Sequence, residues 1–84
     1  MLYPVIVDVT LREGIADPEG ATIERALPAL GFHGVTRVRA AKSFRFNVEA
    51  ADESRALELA RALAERLLSN PVIEDAMVRR GEAS

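Results

Sequence analysis

The amino-acid sequence predicts one α+β domain of the ferredoxin-like βαββαβ order, in which two helices cover one face of an antiparallel sheet. The chain has 84 residues, which is too short for a second hydrophobic core. Apolar residues alternate with a period of two in several segments, and segments with helical spacing separate these strands. Helical crossovers between strands of one sheet give this sandwich. The other sheet face has no covering layer, so we expect dimerisation through the sheet.

The first half of this order depends on one strand and one helix. The odd positions from Tyr3 to Leu11 are apolar, which predicts a strand. Asp17 is then expected to cap a helix that has Pro18 at its first position. Gly31 can adopt the left-handed backbone conformation that ends a helix, and Pro28 should loosen the last helical turn. The apolar face of this helix consists of Ile23, Ala26, Leu27 and Leu30.

The segment from Gly34 to Glu49 predicts a hairpin. Its second arm alternates clearly, and its apolar positions are Phe44, Phe46 and Val48. Its first arm is expected at Val35 to Ala40, with the turn at residues 41–43. The usual Asn-Gly turn signal is missing there.

A second helix and a last strand complete the predicted order. Asp52 can cap a helix that runs to about Leu68, and Asn70-Pro71 ends it. The last strand is expected at about Ile73 to Arg79. Residues 1–80 are thus predicted to form a single domain, followed by a frayed tail at residues 81–84. Ile6 is expected on the uncovered sheet face, where an apolar patch could receive a second subunit.

Composition excludes several classes of protein. The chain has no cysteine, so disulfides and thiolate metal sites are excluded. Its formal net charge of −2 argues against general binding of nucleic acid. The sequence contains no apolar run of membrane-spanning length and does not begin like a signal peptide. We therefore expect a cytoplasmic protein.

The residues that could support catalysis are few. His33 is the single histidine, and it lies in a predicted loop. Glu74 and Asp75 are neighbours in the last strand, so their side chains should point to opposite faces and cannot converge as an acid–base pair. Gly31 and Gly34 follow a helix, whereas glycines that cradle a phosphate precede one. We predict no catalytic, cofactor-binding or metal-binding residue.

The one concentration of basic residues lies in the predicted hairpin. Phenylalanines interleave with these residues, which would suit RNA or a phosphorylated ligand. A solvated sheet face and a docking patch for an acidic partner are the alternatives. An acylphosphatase-like site is disfavoured, because the loop around Arg12 lacks a glycine-rich cradle. The basic residues are Arg37, Arg39, Lys42 and Arg45.

At this level of detail the sequence resembles the PurS family, small subunits of bacterial phosphoribosylformylglycinamidine synthase. The resemblance covers about nine-tenths of the chain in the same order. Its most specific feature is an early Asp-Pro-x-Gly paired with a late Asn-Pro-Val-Ile-Glu-Asp. These motifs are Asp17 to Gly20 and Asn70 to Asp75. Two departures are Ala41, where glycine is common, and Ala76, where an aromatic residue is common.

The resemblance implies a non-catalytic subunit that joins an ATP-dependent synthetase subunit to a glutaminase subunit in de novo purine biosynthesis. It implies a homodimer or tetramer that supports ammonia transfer between the two larger subunits. ATP, Mg and glutamine would be used by the complex and not by this subunit. The predicted partner contacts, which combine the resemblance with the charge pattern, are Arg37, Arg39, Lys42, Glu74 and Asp75.

Two other hypotheses compete with this one. An ACT-like regulatory module has a similar βαββαβ order and would bind a small ligand at a dimer interface. An RNA-binding domain would use the basic hairpin and would show steep salt dependence.

Overall fold

A computed structural model describes residues 1–82 as a three-stranded antiparallel sheet with two α-helices. The strands are β1 (Leu2–Leu11), β2 (Ala41–Glu49) and β3 (Glu74–Arg80), and the helices are α1 (Pro18–Ala26) and α2 (Glu53–Leu63). β1 lies in the centre of the sheet and pairs with β2 on one side and β3 on the other. The α+β class is confirmed. None of the helices in this part of the chain is long and apolar enough to cross a membrane.

The core lies between β1 and α2. The odd-numbered valines of β1 point towards α2, and Val5, Val7 and Val9 are at most 1% exposed. Ala60 and Ala64 of the facing helical segment are equally buried. The small alanine side chains let the helix approach the sheet closely. The burial of the odd-numbered valines confirms the predicted period of two in β1.

The predicted helix ends are largely confirmed. Asp17 Oδ1 accepts a hydrogen bond from the Gly20 amide at 3.0 Å, with Pro18 at the first position of α1. Asp52 caps α2 in the same way. Pro28 begins a short 3₁₀ turn, and Gly31 ends it with a left-handed φ of 89°. The second helix was expected to reach Leu68, but its last turn, Ala64–Leu68, is a π-helix.

The predicted hairpin is wrong in its first arm. The segment Val35 to Ala40 is not a strand, and residues 42 and 43, expected in the turn, lie inside β2 opposite Val9 and Asp8. The reason is that two amides of this segment donate hydrogen bonds to side chains of α1 and of its cap residue. The Val38 amide donates to Glu24 Oε1 at 2.8 Å, and the Ala40 amide donates to Asp17 Oδ2 at 2.7 Å. These amides therefore do not pair with a strand.

Only one helix lies on the sheet, whereas two were expected there. α1 packs against residues 37–40, and Gly20 is so close to the backbone of Val38 that a Cβ atom would lie 2.5 Å from its carbonyl oxygen. We call residues 18–40 the arm, because they extend away from the sheet. The Cα radius of gyration is 16.2 Å, against about 12 Å for a compact chain of this length.

The sheet face opposite α2 is mostly polar. Ile6, expected in an apolar patch there, is only 8% exposed. It lies between Arg45 and Arg79 in the strand register. Arg79 Nη2 in turn pairs with Asp8 Oδ2 at 3.2 Å. Met77 is an exposed apolar exception, at 70%.

Strand pairing continues slightly beyond β3. The Gly81 amide, in the segment expected to fray, donates to the Pro4 carbonyl at 2.8 Å. The rest of that predicted tail, residues 83 and 84, lies outside the described residues.

Candidate functional site

Four of the five predicted contact residues meet at one end of the sheet, where β1 ends and β2 and β3 begin. We call this place the charged end, and its predicted members are Arg39, Lys42, Glu74 and Asp75. The register places Lys42 opposite Val9 and Glu74 opposite Leu11, on either side of β1. Lys42 Nζ consequently lies 3.7 Å from Glu74 Oε2.

The two acidic residues of β3 have separate basic partners, as expected for neighbours on a strand. The Glu74 side chain is only 11% exposed and also accepts a hydrogen bond from the Asn70 amide at 2.7 Å. Asp75 Oδ1 pairs with Arg12 Nε at 3.3 Å. Sequence reasoning considered Arg12 only as a phosphate ligand and missed this role. The sequence feature that could have indicated this pair is the position of Arg12 directly after β1, at the end of the sheet where β3 begins.

Asp17 joins the charged end to the arm. Its carboxylate accepts from the Gly20 and Ala40 amides, and Arg39 Nε lies 3.8 Å from Oδ2. These two backbone hydrogen bonds, assisted by the Arg39 charge, hold the pKa of Asp17 below its ordinary value of 3.8 against the opposing effect of desolvation. The carboxylate stays ionised and fastens α1 to the start of β2. The sequence indicated the helix cap but not this second, long-range contact.

Arg37 stands apart from the other predicted contacts. It is exposed on the arm, and its side chain makes no ion pair or hydrogen bond within residues 1–82. Its φ of 57° is the one left-handed value among the non-glycine residues described. This conformation costs roughly 1–2 kcal/mol for an L-residue. Strained backbone that presents a free charge is typical of residues that act on a partner.

The remaining candidates for chemistry lie apart from the charged end. His33 is exposed in the loop after the 3₁₀ turn. Within the described part of the chain, no group of three or more His, Cys, Asp or Glu residues is placed to hold a metal ion. The charged end presents charges that are paired with one another, and the arm adds the guanidinium of Arg37, which has no ion pair within residues 1–82. A complementary protein surface could dock there.

Comparisons with known proteins support a single family. Residues 4–82 match the family model for PurS, phosphoribosylformylglycinamidine (FGAM) synthase. The PurS subunit of Mycobacterium leprae is 45% identical over 76 residues, covering 89% of this chain and 91% of that protein. The PurS subunit of Archaeoglobus fulgidus is 43% identical over 68 residues, covering 81% and 85%.

Solved structures agree with the sequence relatives. The crystal structure of the PurS subunit from Thermotoga maritima has a TM-score of 0.89 at 38% identity, covering 95% of this chain and 92% of that one. The PurLQS structure from the same organism contains a chain with a TM-score of 0.88 at 38% identity, covering 95% and 98%. The chain therefore belongs to the PurS family of phosphoribosylformylglycinamidine synthase subunits, which act in purine biosynthesis.

Proposed function

We propose that this chain is a non-catalytic assembly subunit that holds the ATP-dependent synthetase and glutaminase subunits together. The observation that carries the proposal is the similarity, over 95% of the chain, to a chain of the PurLQS structure from Thermotoga maritima. The chemistry of the site agrees with this role. In the described residues the acidic groups of the charged end are engaged by basic partners and backbone amides, which suits a rigid docking surface.

The benefit of such a subunit is physical. Holding two active sites in one particle raises the effective concentration of the intermediate that passes between them. Ammonia released by the glutaminase would otherwise reach water, become protonated and lose its nucleophilicity. ATP, Mg and glutamine would then be used by the larger subunits. The site of this assembly would be the cytoplasm, in agreement with a chain that has no cysteine.

We further propose that the charged end and Arg37 contact one of the larger subunits, and that the chain self-associates. Arg37 is the best single probe, because it has no intramolecular ion pair in residues 1–82 whose loss would confuse the result. Asparagine tolerates a left-handed φ, so Arg37→Asn removes the charge and leaves the backbone conformation accessible. Arg55→Asn is the matched control, since Arg55 is 63% exposed on α2 and forms only a surface pair with Glu58.

The test is co-purification and light scattering of the three subunits mixed together, with and without nucleotide. We expect a complex that contains all three, with Arg37→Asn weakening the association about tenfold, equivalent to about 1.4 kcal/mol. Arg55→Asn should leave it unchanged. If Arg37→Asn binds like the wild type, Arg37 is not a contact. If the chain associates with neither larger subunit, the proposed function is wrong.

A further inference from the structure

Arg45 is a basic residue that neither the core nor the charged end uses. It belongs to the concentration of basic residues in the sequence, whose other three members lie in the charged end or on the arm. Arg45 lies in the middle of β2 and is exposed. Its side chain forms no ion pair or hydrogen bond with any other residue of the described chain. Its guanidinium is therefore available for a contact outside the protomer.

This arginine lies on the sheet face opposite α2, which we call the outer face. The strand register places Arg45 and Arg79 on either side of Ile6 of β1. Neighbouring strands lie about 4.8 Å apart, so the Cα atoms of the two arginines are roughly 10 Å apart and both long side chains can reach one ligand between them. Met77, which is 70% exposed, lies beside Arg79 on the same face. The outer face thus combines two guanidinium groups with an exposed apolar side chain.

A hollow opens on the outer face near the start of β1. Pro4 and Ile6 lie at its floor, and Gly81 lies at its edge. The absence of a side chain at Gly81 keeps the hollow open, because a Cβ atom there would lie 3.3 Å from Ile6 Cγ1. Three arginines and one carboxylate are the charged side chains that line it: Arg45, Arg79, Arg80 and Glu82. The hollow is therefore basic, in a chain whose formal net charge is −2.

The kind of partner follows from the charge of the outer face and from the residues that it lacks. An RNA platform stacks bases on exposed aromatic rings, but Phe44 and Phe46 point to the opposite face and pack against the core. A second copy of this chain bound over Ile6 by a two-fold axis would bring arginine against arginine. A protein segment with carboxylates around an apolar side chain matches both the guanidinium groups and Met77.

A subunit that bridges two larger proteins needs two surfaces that both can occupy at the same time. The charged end lies where β1 ends at Leu11, and the hollow lies around Ile6. Five strand residues separate these positions, a distance of about 17 Å. The two surfaces also differ in charge, because acids and bases pair with one another at the charged end. They are therefore suited to two different partners.

We infer that the outer face binds an acidic segment of one larger subunit, while the charged end and Arg37 bind the other larger subunit. Arg45 and Arg79 pair with carboxylates on either side of Ile6, and Met77 contacts an apolar side chain of the same segment. The inference rests on the proposed bridging function and identifies the second of the two surfaces that this function requires.

Charge substitutions test the outer face through the affinity for each larger subunit in turn, with nucleotide and glutamine present. Arg45→Glu should weaken binding to one of them about tenfold or more, and Arg37→Asn should weaken binding to the other. Arg66→Glu is the matched control, because Arg66 is also exposed and also has no ion pair within residues 1–82. It should leave both affinities unchanged.

A second variant is expected to produce a gain in affinity, which misfolding does not imitate. Asp8 Oδ2 lies 3.2 Å from Arg79 Nη2, so Asp8→Asn removes the carboxylate that neutralises Arg79. This variant should bind the subunit that Arg45→Glu loses about two- to fivefold more tightly at low salt. The gain should shrink as the salt concentration rises, because salt screens exposed charges.

The complete three-subunit complex is tested with a photoreactive probe. The chain has no cysteine, so Met77→Cys and Arg37→Cys each provide a single attachment site for a benzophenone maleimide. On illumination, the probe at position 77 and the probe at position 37 should label different larger subunits.

Four results would overturn the inference. They are an Arg45→Glu variant that binds both subunits like Arg66→Glu, variants or probes that assign both surfaces to the same larger subunit, weaker binding by Asp8→Asn, and a probe at position 77 that labels only another copy of this chain. Binding of single-stranded RNA that only Arg45→Glu abolishes, with subunit binding unchanged, would assign the outer face to nucleic acid instead. In all these cases the wild-type chain still binds the larger subunits, so the proposed function stands. That function fails only if the wild-type chain binds neither of them.

Discussion

Gly20 is the position where the structure makes the sharpest demand on residue type. It lies inside α1, where alanine is normally better than glycine by roughly 0.5–1 kcal/mol. Here a Cβ atom would lie 2.5 Å from the Val38 carbonyl oxygen and 2.6 Å from Asp17 Oδ2, whereas real Cβ atoms essentially never come closer than 3.0 Å to a non-bonded heavy atom beyond the neighbouring residues. Gly20→Ala should therefore destabilise the arm.

The magnitude follows from what has to move. The Val38 oxygen belongs to the backbone, and Asp17 is held by the Ala40 amide, so neither can turn away without losing a contact. Overpacking of this kind costs about 1–3 kcal/mol. After subtracting the gain in helix propensity, we expect a net loss of about 1–2 kcal/mol. That corresponds to a fall in the unfolding midpoint of several °C for a domain of this size.

Thermal and urea unfolding at one fixed protein concentration measure this loss, since self-association shifts the apparent stability. Gly34→Ala is the control. Nothing lies within 4 Å of a Cβ atom built there, and Gly34 has no positive φ. It should be neutral or stabilise by about 0.4–1 kcal/mol through the unfolded chain. A Gly20→Ala variant as stable as Gly34→Ala would refute the packing of α1 against residues 37–40.

Three further predictions concern the core, the arm and a turn. Val7→Ala should lower the free energy of unfolding by about 2–3 kcal/mol in urea titrations, because Val7 is fully buried and the change leaves a cavity. The lowered pKa of Asp17 should stabilise the fold fully above pH 3.8 and progressively less as the pH falls through the lowered value; Asp17→Asn should show a weaker acid dependence of its unfolding midpoint. Gly31→Ala should cost roughly 1–2 kcal/mol by the same unfolding assay, because its φ is 89°.

Local chemistry made much of the fold predictable. The strand at β1, the caps at Asp17 and Asp52 and the stop at Gly31 depend on residues within a few positions of one another. Pro28 also acted locally, ending the α-helix early because it has no amide to donate. These features did not require knowledge of the rest of the chain.

The errors came from long-range partners. Residues 35–40 have a plausible strand pattern, but their pairing depends on Asp17 and Glu24, which lie 14 to 23 positions earlier. The same applies to the charged end. The basic and acidic candidates were identified by type, whereas Arg12 was missed as the partner of Asp75 because 63 positions separate them and only strand register brings them together. Composition cannot supply such contacts.

The rate of glutamine-dependent amidation, measured with both larger subunits in the presence and absence of this chain, tests the bridging role most directly. The ammonia-driven rate in the same mixtures serves as the internal reference for an intact synthetase. The bridging role predicts that leaving out the chain greatly lowers the glutamine-driven rate and hardly changes the ammonia-driven one. Equal glutamine-driven rates with and without the chain, or amidation by the chain alone, would contradict it.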